Sequence, residues 1–389
     1  MKNHKILSAL NAAAWGAAAL LFAAGSALAQ TFTVAVVPDT QNYSDIALPQ
    51  PRGAETFARE MQYLADQKEA RNLAFVTFVG DIIQHGDGQF RLPATDTAPA
   101  RVMDTREEWD IANRAVSILS GSGVPFGMVP GNHDYDNYSW WAEDGGPGAS
   151  RPLAGGRAFS FYFGPSSRHF AGKSWYGGAT GNGLNSFQTF QGDGKPFLHL
   201  SLEMDPPPAV LDWAQGVIDA HPATPVIIST HEWLAPSKTG ATDRANSTAS
   251  LFAGTDHLSP DQIWDRFVRK NRMIFMVLSG HAYTPAVEGV SLGENLRIDH
   301  NDAGFPVYQV LQDFQGNTVG PDGQAGSANG GGGWLRFMEF DVERRKIRFY
   351  TYSPLLDRYA GRDGEATFGV AASYSEFELD FPEQLLNRR

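Results

Sequence analysis

A chain of 389 residues with a net charge of −12 repels phosphate backbones, which argues against duplex nucleic-acid binding through a basic face. It has no cysteine, so disulfides and thiolate ligands are both excluded, and any metal must be held by His, Asp, Asn, Gln or Tyr. Its length and a hydrophobic fraction of 42% suffice for a sizeable core.

In chain order, residues 1–29 read as a leader. Lys2 and Lys5 make a basic start, Ile6 to Ala24 is apolar and Ala-rich, and Ala27-Leu28-Ala29 is a small-residue cleavage signal before Gln30. The expectation is an exported bacterial protein, periplasmic or secreted, with no stable membrane anchor after cleavage. Losing both lysines and no acid makes the mature chain more acidic still.

Residues 31–385 read as one domain, mixed α/β first and antiparallel β at the end. Thr33 to Val37 is an apolar strand that closes in Pro38-Asp39. Phe57, Met61, Leu64 and Ala65 then fall at helical spacing. A second strand, Leu73 to Val79, closes in Gly80-Asp81. Residues 85–104 are polar and punctuated by Gly and Pro, as in a surface insertion. Thr105 and Glu108 have capping-box spacing and open a helix with Trp109, Ala112, Val116 and Leu119 on one face. That helix stops at Gly121-Ser122-Gly123, and a third strand, Val124 to Pro130, runs into Gly131-Asn132-His133-Asp134.

Residues 135–195 resist a regular assignment and read as a long insertion over an active site. Trp140, Trp141, Trp175 and Tyr176 either line a cleft there or pack the insertion. A strand at Phe197 to Leu202 and a helix from Pro207 to His221 follow. Val226 to Ser229 leads to Thr230-His231, Ser259-Pro260 caps a helix, and Ile274 to Leu278 leads to Ser279-Gly280-His281. The C-terminal portion, 305–354, alternates with period two over Val307 to Phe314, Trp334 to Val342 and Ile347 to Tyr352.

Five apolar runs thus deliver metal-binding side chains at their C-terminal ends, the edge where open α/β sheets bind ligands. One shared site is the economical reading. Phosphate-ester hydrolysis at neutral pH needs an activated water and relief of charge on the phosphoryl oxygens, and two metal ions roughly 3.5–4 Å apart supply both. Asp81 suits a bridging carboxylate, with Asp39, Asn132, His231 and His281 as terminal ligands. His133, followed by Asp134 to orient its ring, suits the acid that protonates the leaving group.

The ordered set Asp39, Gly80-Asp81, Gly131-Asn132-His133-Asp134, His231 and Gly280-His281 resembles the calcineurin-like metallophosphoesterase family over about residues 31 to 290. The resemblance implies two facing mixed β-sheets flanked by helices and a dinuclear centre of Fe, Mn or Zn. It implies a phosphoesterase acting on small-molecule or phosphorylated substrates, mono- or diesters, through metal-activated hydroxide with His133 as general acid. By the same resemblance Asp81 bridges, Asp39 binds the first metal, and Asn132, His231 and His281 bind the second. Gln41 and Tyr283 stand where the family usually has histidines for the first metal, and are either neutral ligands or space fillers. Pro38-Asp39-Thr40-Gln41 resembles the first motif of a bacterial exported subgroup. The alternative is a family member with an incomplete first site that acts as a binding protein.

Overall fold

The computed structural model describes residues 31–386 apart from 48–51, 87, 93–98, 100, 139–151, 237–242, 284–292, 317–329 and 361–374. The leader, Trp140 and Trp141 lie outside the described residues. No helix among the described residues is long and apolar enough to cross a membrane.

The N-terminal half runs β1 (Phe32–Val37), α1 (Gln41–Ser44), α2 (Arg52–Asp66), β2 (Leu73–Phe78), a hairpin of β3 (Gln89–Leu92) and β4 (Arg101–Asp104), α3 (Arg106–Ser122) and β5 (Phe126–Gly127). Next come α4 (Arg157–Phe163), β6 (Tyr176–Ala179), β7 (Ser186–Gly192), β8 (Lys195–Ser201), α5 (Pro208–Ala220), β9 (Val226–Ser229), α6 (Thr248–Leu251) and α7 (Pro260–Ile263). The chain ends with β10 (Ile274–Ser279), β11 (Glu294–His300), β12 (Pro306–Gln312), β13 (Leu335–Asp341), β14 (Lys346–Ser353), β15 (Arg358–Tyr359), β16 (Glu376–Asp380) and α8 (Glu383–Leu386).

Two seven-stranded mixed sheets face each other, one ordered β15-β14-β13-β1-β2-β5 with β16 beside β14, the other β11-β12-β10-β9-β8-β7-β6. The period of two explains the layering. In β1, Ala35 and Val37 join Phe57, Met61, Leu64, Trp109 and Val116 from α2 and α3, while Val34 and Val36 face Ile227, Phe275 and Val310 of the second sheet. Leu200, Ile228 and Val277 cover that sheet's outer face against Leu211 and Ala214 of α5 and Ile263 of α7. With both faces buried, the central strands must be apolar throughout, hence uninterrupted runs rather than alternation. Phe75 is fully buried between the sheets; truncating such a ring to Ala costs about 3–5 kcal/mol.

Four readings of local structure change. The third strand shrinks to Phe126–Gly127, because β5 is an edge strand and Pro125 and Pro130 lack the N–H groups a longer ladder needs. Thr105 makes no side-chain cap; Glu108 instead accepts the N–H groups of Ile46 (3.2 Å), Gln84 (3.1 Å) and His85 (2.9 Å). The stretch 135–195 supplies α4, β6 and β7, and the two strands extend the second sheet. Trp175 and Tyr176 pack there against Phe126 and Phe170. Finally, the C-terminal portion is not antiparallel throughout: β12, buried on both faces, pairs parallel to β10 as well as antiparallel to β11, while β13 pairs antiparallel to β1 in the other sheet.

Candidate metal centre

Parallel pairing of β1 with β2 and of β2 with β5, and along β8, β9, β10 and β12, sets all their C-terminal ends on one edge. A Thr77 Oγ1 to Ser229 Oγ hydrogen bond of 2.8 Å ties β2 to β9 across the two sheets, just below that edge. Side chains some 240 positions apart in sequence meet there: the Asp39 Oδ1 accepts the His281 backbone N–H at 2.9 Å.

Asp81 occupies the middle. Its Oδ1 accepts the His133 backbone N–H (3.0 Å) and lies 3.1 Å from His231 Nε2. Its Oδ2 accepts from Gln41 Nε2 (3.0 Å) and lies 3.8 Å from His133 Nε2. The backbone bends sharply to achieve this: Asp81 and His281 have φ of 49° and 69°, a left-handed conformation that costs about 1–3 kcal/mol outside glycine. Glycine is required where backbone meets ligand. A Cβ at Gly131 would land on the Asp81 carboxylate and the His231 ring, and one at Gly280 on the Asp39 carboxylate.

His231 Nδ1 donates to the Val79 carbonyl at 2.8 Å, which leaves Nε2 facing Asn132 Oδ1 at 3.0 Å and Asp81 Oδ1 at 3.1 Å. Three lone-pair atoms at this spacing repel unless a positive charge lies among them. Burial opposes a charged ring, but Asp81 and Asp39 override it and push His231 up to about 10. Burial likewise opposes an ionised Asp81, and the His231 and His133 rings hold it below the usual carboxylate range. Donor atoms of Asp81, His231 and His281 lie within 4.8 Å of one another. The His281 ring Nε2 sits 3.3 Å from Ser247 Oγ and 3.7 Å from Glu232 Oε1, and burial lowers its pKa to about 3.

The nitrogen beside Asp39, His231 Nδ1 at 3.8 Å from its Oδ1, is already committed to the Val79 carbonyl. Asp39 Oδ2 and Gln41 Oε1 are buried without hydrogen-bond partners. Such orphaned acceptors are costly unless something positive meets them, so this residue set fits a bound cation. Burial, then Asp313 and Asp81, raise the Asp39 pKa. Tyr283 stands at the rim, 43% exposed, its phenol pushed up by burial and by Asp313, Asp39 and Asp81.

His133 and Asp134 are not a ring-orienting pair. His133 Nδ1 bonds the Gln84 carbonyl oxygen at 2.7 Å, and Tyr138 lies against the ring with centroids 4.3 Å apart. The Asp134 carboxylate is occupied elsewhere: it accepts the N–H groups of Gly131 (2.8 Å), Ile82 (2.9 Å) and Ile83 (3.1 Å), clamping the two ligand loops together. Burial, with Asp81 nearby, raises its pKa to about 7. Burial also lowers the His133 pKa.

Sequence reasoning missed Asp313, Gln315, Gln84 and Glu232. Asp313 was within reach, since it follows apolar β12 by the same end-of-strand rule that found the ligands. Gln84 acts through its backbone carbonyl, which no residue pattern signals. His85 also proves buried, its Nδ1 2.8 Å from Glu108, and with Asp45 these form a second cluster of close donors. There Glu108 is already occupied by backbone N–H groups. A cavity of about 960 Å³ opens beyond Tyr135 and Glu203, with none of the metal-ligand candidates in its wall.

Fold and donor cluster together make a candidate metal centre at the C-terminal edge of the sheets. A model of the calcineurin-like phosphoesterases matches residues 32–285, and the chain belongs to that family. It is 26% identical over 343 residues to the uncharacterized protein YvnB of Bacillus subtilis, a match covering 85% of this chain and 21% of that protein. The chain therefore spans about a fifth of that relative's length. It is also similar, at 23% identity over 195 residues, to endo-1,4-beta-xylanase 3 of Pyricularia oryzae, covering 46% of this chain and 75% of that one. Among solved structures it is similar to GAP50, the anchor in the inner membrane complex of Plasmodium, at 12% identity and a TM-score of 0.37, covering 90% of this chain and 89% of that chain.

Proposed function

We propose that the chain is an exported, metal-dependent phosphoesterase that hydrolyses phosphate mono- or diesters of small or phosphorylated molecules, with two ions of Fe, Mn or Zn. One observation carries the reading: Asp81 presents one carboxylate oxygen to His231 and the other to Gln41, so a single side chain faces both halves of the donor set. Bound metals supply a water activated at neutral pH and neutralise phosphoryl oxygens.

The chain's own groups do the rest. Asn132, His231 and His281 hold one side of the site, and Asp39 with Gln41 holds the other. Asp134 keeps Gly131 and Ile82 close, which fixes the separation of Asn132 from Asp81. His133, with Nδ1 on the Gln84 carbonyl, turns its Nε2 edge toward Asp81 and delivers a proton to the leaving oxygen. The apolar leader with its Ala27-Leu28-Ala29 signal supports export, and the acidic surface supports a substrate other than duplex nucleic acid.

A leaving-group series tests the acid role. His133→Asn lowers turnover of an alkyl phosphate about 10²–10⁴-fold and that of an aryl phosphate with an acidic phenol far less. Equal losses on both refute it.

A further inference from the structure

The geometry points to an all-oxygen first cation site in which Gln41 is a ligand through Oε1, its amide orientation set by Gln315 and Asp313 as positioning residues. The inference rests on the two-cation reading and goes further: it assigns the Gln41 side of the centre to a hard cation such as Mn²⁺ or Mg²⁺.

The direction of each amide follows from its neighbours. Asp313 follows β12 and is fully buried; its Oδ1 accepts the Gln315 backbone N–H and its Oδ2 the Gln315 side-chain Nε2, each at 2.9 Å. A carboxylate only accepts, so Gln315 must turn its NH₂ toward Asp313 and its Oε1 away. That Oε1 accepts from Gln41 Nε2, and the same nitrogen donates to Asp81 Oδ2 at 3.0 Å. Both hydrogens of the Gln41 amide are thereby used on acceptors. Its carbonyl oxygen is left buried and unpartnered, as is Asp39 Oδ2.

The relay therefore does for an amide what a carboxylate does for a metal-bound imidazole: it fixes which atom faces the ion. A buried glutamine that merely filled space would have its carbonyl oxygen satisfied as well as its nitrogen, and here the oxygen has no partner. The donor set on this side, Asp39, Gln41 and Asp81, contains no nitrogen, whereas the opposite side carries His231 and His281. Oxygen-only sets favour Mg²⁺ and Mn²⁺, and imidazole sets suit Zn²⁺ and Fe. The centre is then asymmetric by design of its ligands, and Gln41 marks a change of metal preference rather than a lost site.

The test uses the full chain stripped of metal, loaded with one equivalent of Zn²⁺, then titrated with Mn²⁺ under electron paramagnetic resonance. Wild-type protein binds Mn²⁺ without directly coordinated ¹⁴N coupling, and Gln41→His introduces that coupling. Gln315→Leu and Asp313→Ala weaken Mn²⁺ binding about 10–100-fold with Zn²⁺ retained, and Asp313→Asn, which keeps only one accepting oxygen for the two Gln315 donors and lets that amide turn over, weakens it as well. Strong ¹⁴N coupling in the wild type overturns the assignment, and so does unchanged Mn²⁺ affinity in Gln315→Leu. Zn²⁺ bound but no Mn²⁺ sinks this inference alone; failure to bind either ion sinks the phosphoesterase reading as well.

Discussion

Asp134→Asn separates a loop clamp from a histidine-orienting partner. The Asp134 carboxylate takes N–H groups from Ile82, Ile83 and Gly131. Asparagine keeps one accepting oxygen and turns an NH₂ toward the remaining donor. If the oxygen stays with Ile82 and Ile83, the Gly131 N–H is buried and unsatisfied, at a cost of about 1–3 kcal/mol. Measured above pH 7, where the carboxylate is ionised, lost charge assistance on the other two adds roughly 1 kcal/mol. The expected loss is about 2–4 kcal/mol out of a typical 5–15 kcal/mol, read as a lower urea midpoint at unchanged m-value. His133 draws its orientation from Gln84, and its pKa shift arises from burial, Asp81, Gln84, His231 and His85 rather than Asp134. Its titration, followed by ring NMR, therefore stays in place. Unchanged stability together with a large fall in the His133 pKa would refute the clamp and restore the dyad.

Gly131→Ala pushes a Cβ into the Asp81 carboxylate and His231 ring; displacement of a reacting group by about 1 Å costs on the order of 10²-fold in rate, so turnover falls that far while far-UV circular dichroism is retained, and wild-type kinetics would contradict the packing argument. His199 is fully buried between Gln188 (2.8 Å) and Ser229 (2.9 Å), with its pKa lowered to about 3 by burial. Below the unfolded value of about 6.5 the unfolded chain takes up a proton that the native ring refuses, so stability falls as pH drops from there toward 3. The slope is about 1.4 kcal/mol per pH unit from this group. Urea unfolding of His199→Gln between pH 6 and 4 shows a shallower pH dependence than wild type, and an identical slope would count against it.

Much of the fold is legible in the sequence because burial on both faces writes an unmistakable signal. Thr33–Val37, Leu73–Val79, Val226–Ser229 and Ile274–Leu278 all appear as strands within a residue or two. Periodicity does not reveal partners, however. Val307 to Phe314 and Trp334 to Val342 look alike in sequence, yet β12 and β13 belong to different sheets. Glycine-rich residues 135–195 conceal β6 and β7 because the side-chain alternation there is carried by Ser, Gln and Thr as much as by Phe. At the site, the residue types that can hold a metal are legible and their supports are not. Asp134 carries the chemistry of a histidine partner but spends it on backbone amides, and Glu108 carries a capping pattern but serves the 82–85 loop. Both depend on which backbone groups end up unsatisfied nearby, which is decided in three dimensions.

If Asp81 serves two cations at once, metal stoichiometry after reconstitution reads it most directly. Wild-type chain exchanged into excess metal and then desalted retains about two equivalents and hydrolyses an aryl phosphate; Asp81→Ala retains at most about one and loses turnover. Two tightly held equivalents in Asp81→Ala, or turnover undiminished by that change, would contradict the account.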